Sequence, residues 1–300
     1  MSVGGLAAGG REDVLRGILF CVTAFFFFAC MDALAKHLGG TYHWVQLVFF
    51  RALFGFLPVL PVVYNDGGLR ALRTRHPFLH LIRSAAVLVA LATYFIGLQY
   101  MPLAEALTLA FTSPLFVTLL SMPLLGEKVG LHRLLAILVG FGGVLVIMQP
   151  GAETFRPQAF YLLGSGAAFA LSSVLTRLLG RTETNGAIIF YSTFGQFLPA
   201  AIVLPFVWQM PQSLTDWLLF VSMGCLGGIG LQLITLAFRN AQASVLAPFE
   251  YTTLIWATII GWLAWKEWPG NHVWIGAAIL IATGLYITYR EGRRRLAQAR

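Results

Sequence analysis

The stretch Phe49-Phe50-Arg51-Ala52-Leu53-Phe54-Gly55-Phe56-Leu57-Pro58 is echoed by Phe190-Tyr191-Ser192-Thr193-Phe194-Gly195-Gln196-Phe197-Leu198-Pro199. Working outward, Leu34, Leu38 and Gly39 recur as Leu175, Leu179 and Gly180, and Glu127 and His132 recur as Glu267 and His272. The chain therefore reads as two diverged copies that meet near residue 150, each with five long apolar segments. An odd number of membrane crossings per copy forces the copies into opposite orientations, which is the inverted-repeat plan of a secondary transporter.

Composition supports the same reading. The chain is 58% hydrophobic and only 11% charged, with a mean hydropathy of +0.78, whereas soluble domains carry roughly 25% charged residues. Apolar runs of about 20 residues cross a hydrocarbon layer of about 30 Å as helices. Ten are expected, at 15–37, 44–64, 78–100, 103–125, 131–149, 158–179, 186–208, 214–238, 244–265 and 272–290. The fold expected is all-α and integral to the membrane: ten helices as two five-helix inverted repeats around a central cavity. Residues 1–300 form a single membrane domain, with repeats at 14–149 and 158–290 and a basic tail at 291–300.

With the amino terminus in the cytoplasm, 16 of the 20 Lys and Arg residues lie on the inner side, all but Lys36, Arg51, Arg156 and Lys266. The positive-inside rule then puts both termini in the cytoplasm, with the basic tail touching anionic lipid and not nucleic acid. Cys21, Cys30 and Cys225 all fall inside expected spans and carry no disulfide information. The first span is longer than the apolar region of a secretory signal, so it is expected to be retained. Gly224 and Gly228 have the spacing that lets membrane helices approach closely, and Gly140, Gly142 and Gly143 are expected to do the same.

Ionisable and polar groups at bilayer depth are costly and normally face a cavity or a partner. Asp32 and Lys36 are four apart on one helix face. Lys36 reads as a snorkelling cation at a helix end. Arg51, about 10 Å into the second span, is expected to pair with Asp32. Arg83 and Glu250 enter from the inner side at similar depth and form a second possible pair. Glu250 is the best candidate for a functional carboxylate, because Pro248 before it removes a backbone donor. The other cavity candidates are Tyr94, Gln99, Thr112, Gln232, Tyr251 and Trp256. Glu127 and Glu267, just past helix ends, suit capping or locking of a neighbouring helix. Trp262, Trp265 and Trp268 suit an interfacial belt.

Enzyme and channel readings find little support. There is no His-Glu-x-x-His and no Cys cluster, and the six His residues are scattered between the two sides, so neither a metal nor a cofactor is expected. No ring of polar residues suggests a pore, and a monomer is expected.

Met31-Asp32-Ala33 with Lys36, Gln46 and Arg51, the stretch Phe111-Thr112-Ser113-Pro114-Leu115 ending in Leu125-Gly126-Glu127, and Ala247-Pro248-Phe249-Glu250-Tyr251-Thr252 ending in Trp265-Lys266-Glu267 resemble EamA-type members of the drug/metabolite transporter superfamily. The resemblance covers both copies, and YddG-like amino acid exporters are the members it suggests. It implies a cavity lined chiefly by spans 1, 3, 4, 6, 8 and 9, alternating access, and export of amino acids, aromatic ones included, across a bacterial inner membrane. Transport of a vitamin, an S-adenosylmethionine-like cofactor or a drug is the alternative it leaves open. Pro114 has Leu254 opposite it in the second copy, so the copies need not bend alike. Arg51 opposite Ser192, Asp32 opposite Ser173 and Glu250 opposite Ala110 break the symmetry, and these breaks are where the site is expected.

Overall fold

The computed structural model describes residues 9–65, 68–126, 130–151, 156–180, 182–241 and 243–298, and all of its regular structure is helical. Twelve α-helices are present among them: α1 (Gly9–Gly39), α2 (Trp44–Asn65), α3 (Pro77–Leu98), α4 (Leu103–Ala110), α5 (Ser113–Leu125), α6 (Leu131–Met148), α7 (Ala159–Leu179), α8 (Asn185–Val207), α9 (Leu214–Asn240), α10 (Ala243–Glu250), α11 (Thr252–Trp265) and α12 (Asn271–Gln298). Eight stretches are long and apolar enough to cross a membrane, namely α1, α2, α3, α4 with α5, α7, α8, α9 and α12. A shorter apolar helix, Leu134–Met148, lies in α6.

Two expected spans, 103–125 and 244–265, are each broken into two helices, α4 with α5 and α10 with α11. The breaks fall at equivalent points of the two copies. Pro114 does deprive the Ala110 carbonyl of its donor, but the feature common to both breaks is a threonine. The Thr112 hydroxyl donates to the Leu109 carbonyl at 2.8 Å, and the Thr252 hydroxyl donates to the Phe249 carbonyl at 2.6 Å. Each hydroxyl reaches back three residues, a bond also made within unbroken helices, as from Thr283 to the Leu280 carbonyl in α12. The rings beside these threonines, Phe111 and Tyr251, meet with centroids 5.3 Å apart.

Helix α3 shows directly that the copies are inverted. At its carboxyl end Gln99 Nε2 donates to the Ala35 carbonyl near the end of α1. Near its amino end Arg83 Nε donates to Thr176 Oγ1 near the end of α7, the second-copy counterpart of α1. The carboxyl ends of α1 and α7 therefore lie at opposite ends of α3. Packing follows the same pseudo-two-fold plan: α1 lies on α9 as α7 lies on α3, while α2 with α8 and α6 with α12 pair with their own counterparts.

Glycines set how closely these pairs approach. A Cβ at Gly224 of α9 would lie 2.5 Å from the Phe54 Cβ of α2, and one at Gly228 would run into the Pro58 ring. Between α6 and its neighbours, a Cβ at Gly140 would lie 2.7 Å from Leu115 and one at Gly143 2.9 Å from Ile279. Gly142 is different: nothing lies within 4 Å of its Cβ position, so the expectation that it serves close packing is corrected. Gly224→Leu is therefore expected to cost about 1–3 kcal/mol through overpacking, seen as a lower melting temperature in detergent. Gly142→Ala should raise the melting temperature slightly, since alanine favours a helix interior by about 0.5–1 kcal/mol.

Candidate functional site

Helix α1 carries the first polar cluster. Asp32 is buried, and its carboxylate interacts with the Tyr94 hydroxyl of α3 and the Arg51 charge of α2. Arg51 Nη1 donates to Gln196 Oε1 of α8 at 3.1 Å, and Gln196 Nε2 donates to the Ser192 carbonyl, fixing the amide. Arg51 Nε is buried with no hydrogen-bond partner. The expected direct pair is not made: Asp32 and Arg51 belong to one cluster but stay outside the 4.0 Å of an ion pair. Arg51 is held toward α8 by Gln196, a partner overlooked in the sequence. The signal was present, since Gln196 has Gly55 opposite it in the first copy.

One turn further along α1, Lys36 is buried and does not snorkel. Its Nζ donates to both Glu267 carboxylate oxygens, at 2.7 and 2.6 Å, and to the Met101 carbonyl at 2.9 Å. It also sits 5.0 Å from the centre of the Trp265 ring. The same carboxylate accepts from the Leu103 backbone N–H at the start of α4. One ion pair thus ties together the ends of α1 and α11 and the beginning of α4. Glu127, the counterpart of Glu267, lies outside the described residues.

The opposite end is tied differently. Arg83 is buried, and it donates to Thr176 Oγ1 at 2.6 Å and to the Ile188 carbonyl at 2.7 Å. It binds α3 to α7 and α8 and does not meet Glu250, so the second expected pair is corrected. Helix α10 instead runs against α1, where the Cys21 thiol faces the Leu246 carbonyl at 3.9 Å. Glu183, in the α7–α8 connection, accepts from Thr74 Oγ1 and the Arg75 N–H ahead of α3.

Between the two ends lie the helix breaks. Glu250 closes α10 and is half-buried, and it has no hydrogen bond or ion pair among the described residues. Tyr251 follows it at the break, against Phe111 and against Gly284 of α12. Trp256 of α11 stands edge-on to Phe26 of α1 at 5.1 Å, and its buried indole N–H has no acceptor. Thr112 is fully buried at the first break, beside Gly166 of α7. Two other expected site residues lie elsewhere. Gln232 donates to the Pro58 carbonyl, binding α9 to α2. Gln99 lines a cleft of about 380 Å³ at the Lys36 end, with Tyr42, Trp44 and Phe95.

Residues 15–149 and 156–290 each match the EamA-like transporter family, so the repeat and the family coincide. The chain belongs to the EamA-like transporter family. The transporter is 30% identical over 281 residues to the S-adenosylmethionine uptake transporter of Rickettsia conorii, covering 93% of this chain and 95% of the relative. It is 29% identical over 290 residues to the riboflavin transporter of Vibrio cholerae, covering 95% and 96%. It is also 30% identical over 276 residues to the pseudopaline exporter of Pseudomonas aeruginosa, covering 90% and 95%. A crystal structure of another protein matches its fold with a TM-score of 0.65 at 20% identity, over 93% of this chain and 98% of that one. The chain is thus a multi-pass membrane transporter for a small molecule, and not an enzyme. None of these names singles out amino acid export or a YddG-like relative.

The Lys36 contact offers a direct check. Lys36→Met and Glu267→Gln are each expected to lower the melting temperature in detergent. The double variant should recover part of the loss, with a coupling of about 0.5–3 kcal/mol. Strict additivity of the two changes would show that the contact does not tie these helix ends together.

Proposed function

We propose that the transporter carries an amino-acid-derived metabolite that joins a positively charged group to a planar ring, and that it binds this solute where the two broken helices meet. The observation that carries the reading is Glu250. A carboxylate at membrane depth with no cation beside it among the described residues is expensive, and such groups mark solute or ion pathways. Its place at the carboxyl end of α10 adds to the demand, because that end carries the negative pole of the helix dipole and favours cations. At the break after it the Tyr251 and Phe111 rings offer a stacking wall, and further along α11 the Trp256 indole N–H has no acceptor among the described residues.

S-adenosylmethionine, the solute named for the Rickettsia relative, has the required parts: a sulfonium cation, an amino acid head and an adenine ring. Aromatic amino acids are smaller members of the same class, with an ammonium group and a ring. Riboflavin, named for another relative, offers a ring but no cation for Glu250. In this reading ten spans are formed, with α4–α5 and α10–α11 as broken ones, around a central cavity. The two copies rock about it in alternating access. Direction follows from the gradients and not from the fold, in keeping with relatives named for uptake and for export. The remaining parts of the proposal are a bacterial inner membrane, both termini in the cytoplasm, and action as a monomer.

Counterflow into liposomes holding the purified protein tests it. Labelled S-adenosylmethionine or phenylalanine is expected to exchange. Glu250→Gln, which keeps the shape and loses the charge, should slow exchange roughly 10- to 150-fold, as expected for a charge-assisted contact of about 1.5–3 kcal/mol. Absence of exchange of both solutes, or wild-type rates in the variant, would sink the proposal.

A further inference from the structure

The Asp32–Arg51 cluster holds two opposite charges that influence each other yet do not touch. At bilayer depth a direct ion pair would satisfy both at least cost, because separated buried charges keep their desolvation penalty. Here the pair is held open. Gln196 of α8 draws the guanidinium by Nη1, and the Nε–H is left buried with no acceptor. On the other side of the gap the Tyr94 hydroxyl of α3 interacts with the Asp32 carboxylate. Four helices thus keep apart an acceptor of ammonium hydrogens and a donor to carboxylate oxygens.

We infer that Asp32, Arg51 and Tyr94 form a receptor for the zwitterionic α-amino acid head of the transported solute. The solute's carboxylate takes the Nε edge of Arg51, a geometry that a guanidinium offers and an ammonium does not. The solute's α-ammonium group takes Asp32. Charge balance favours this occupant over a simple ion. The cluster is formally neutral and a zwitterion adds no net charge, whereas a lone cation or anion would leave one uncompensated in a low-dielectric surrounding.

Position fits the same role. Asp32 lies one turn below Lys36, so the cluster sits directly beneath the ion pair that ties this end. Leu246 lies against Cys21 and Thr253 against Phe25 of α1, 11 and 7 residues before Asp32, so Glu250 between them lies roughly 10–16 Å from Asp32 along the axis. Glu250 and the head receptor are therefore separate stations at different depths, which the solute meets in turn. The inference rests on the proposed class of solute and adds which part of the solute is read, and where.

The test uses full-length protein in liposomes with labelled S-adenosylmethionine, competed by unlabelled S-adenosylmethionine or by its decarboxylated analogue. The wild type is expected to prefer the intact compound by about tenfold or more, as polar sites do against analogues lacking the matched group. Arg51→Lys should reduce that preference to about twofold or less while the decarboxylated compound still competes. Asp32→Asn should weaken both competitors. Glu250→Gln should weaken both and leave their ratio unchanged. Where phenylalanine is the solute exchanged, phenethylamine replaces the decarboxylated analogue.

Equal competition by the decarboxylated compound in the wild type overturns the inference without needing any variant to fold. So does a preference that survives Arg51→Lys, or Asp32→Asn abolishing only a pH dependence of exchange; that last result would mark the cluster as a proton site. If the wild type exchanges neither labelled solute, the proposed solute class fails and the inference falls with it. Exchange without discrimination of the head overturns the inference alone.

Discussion

In hydrocarbon a backbone carbonyl without a donor costs several kcal/mol, so a helix can stop at mid-depth only where something else takes over its hydrogen bonds. The architecture of this transporter depends on how that constraint is met at two points. Thr112 and Thr252 each turn a hydroxyl onto the carbonyl three residues back. At the first break the Leu109 carbonyl also accepts from the Thr112 backbone N–H at 3.1 Å, so it is not stranded. The breaks fall at equivalent positions of the two copies, and the Phe111 and Tyr251 rings meet there. Gly166 of α7 lies against the first break, and the Phe25 carbonyl of α1 accepts from Thr253 at the second. Each break is thus packed on the first helix of the other copy.

The two ends are tied by interactions of different chemistry. At one end a lysine and a glutamate meet in a bidentate contact, reinforced by a ring, a carbonyl and a backbone N–H. The same end is buttressed by Tyr42, which donates to Asp216 at 2.9 Å at the start of α9. At the other end Arg83 binds a hydroxyl and a carbonyl, both neutral, and Glu183 docks on Thr74 and Arg75. Glu183 aligns with Tyr42 in the repeat. Each copy therefore places the loop after its first helix on the start of the other copy's third helix, with different side chains. The frame is symmetric while the contacts holding its ends are not.

Much of the fold was legible in the residues because hydrophobic length and internal repetition are local properties. Hydropathy alone marks the long spans, and the Phe56-Leu57-Pro58 and Phe197-Leu198-Pro199 match reveals the duplication. The helix breaks were harder to read. Pro114 and Pro248 fall at unmatched places and left open whether the copies bend alike, whereas the structure breaks both at equivalent points. Polar pairing was legible only in part. Depth along a span can be counted from the sequence, which placed Arg83 and Glu250 at one level, but azimuth around the bundle cannot. Arg83 faces α7 and α8 while α10 runs against α1. Lys36 and Glu267 are separated by 231 positions, and nothing in either neighbourhood names the other.

Comparing the copies residue by residue recovers some of what depth counting loses. A position shared by both copies must serve an inverted pair of environments at once, which suits scaffold: Leu57-Pro58 and Leu198-Pro199 are of this kind. A charged group present in only one copy is under no such restriction, and it makes the two halves of the central region chemically different. Asp32, Arg51, Gln196 and Glu250 are all single-copy groups, opposite Ser173, Ser192, Gly55 and Ala110. Three of the four gather in one cluster through contacts between α1, α2 and α8. The fourth stands alone at the second break. A pseudo-symmetric frame can exchange the roles of its two ends, but a solute meeting this centre meets the same unsymmetrical charges from either side. Asymmetry confined to the middle thus lets one binding chemistry serve both conformations, while the repeated scaffold supplies the motion between them.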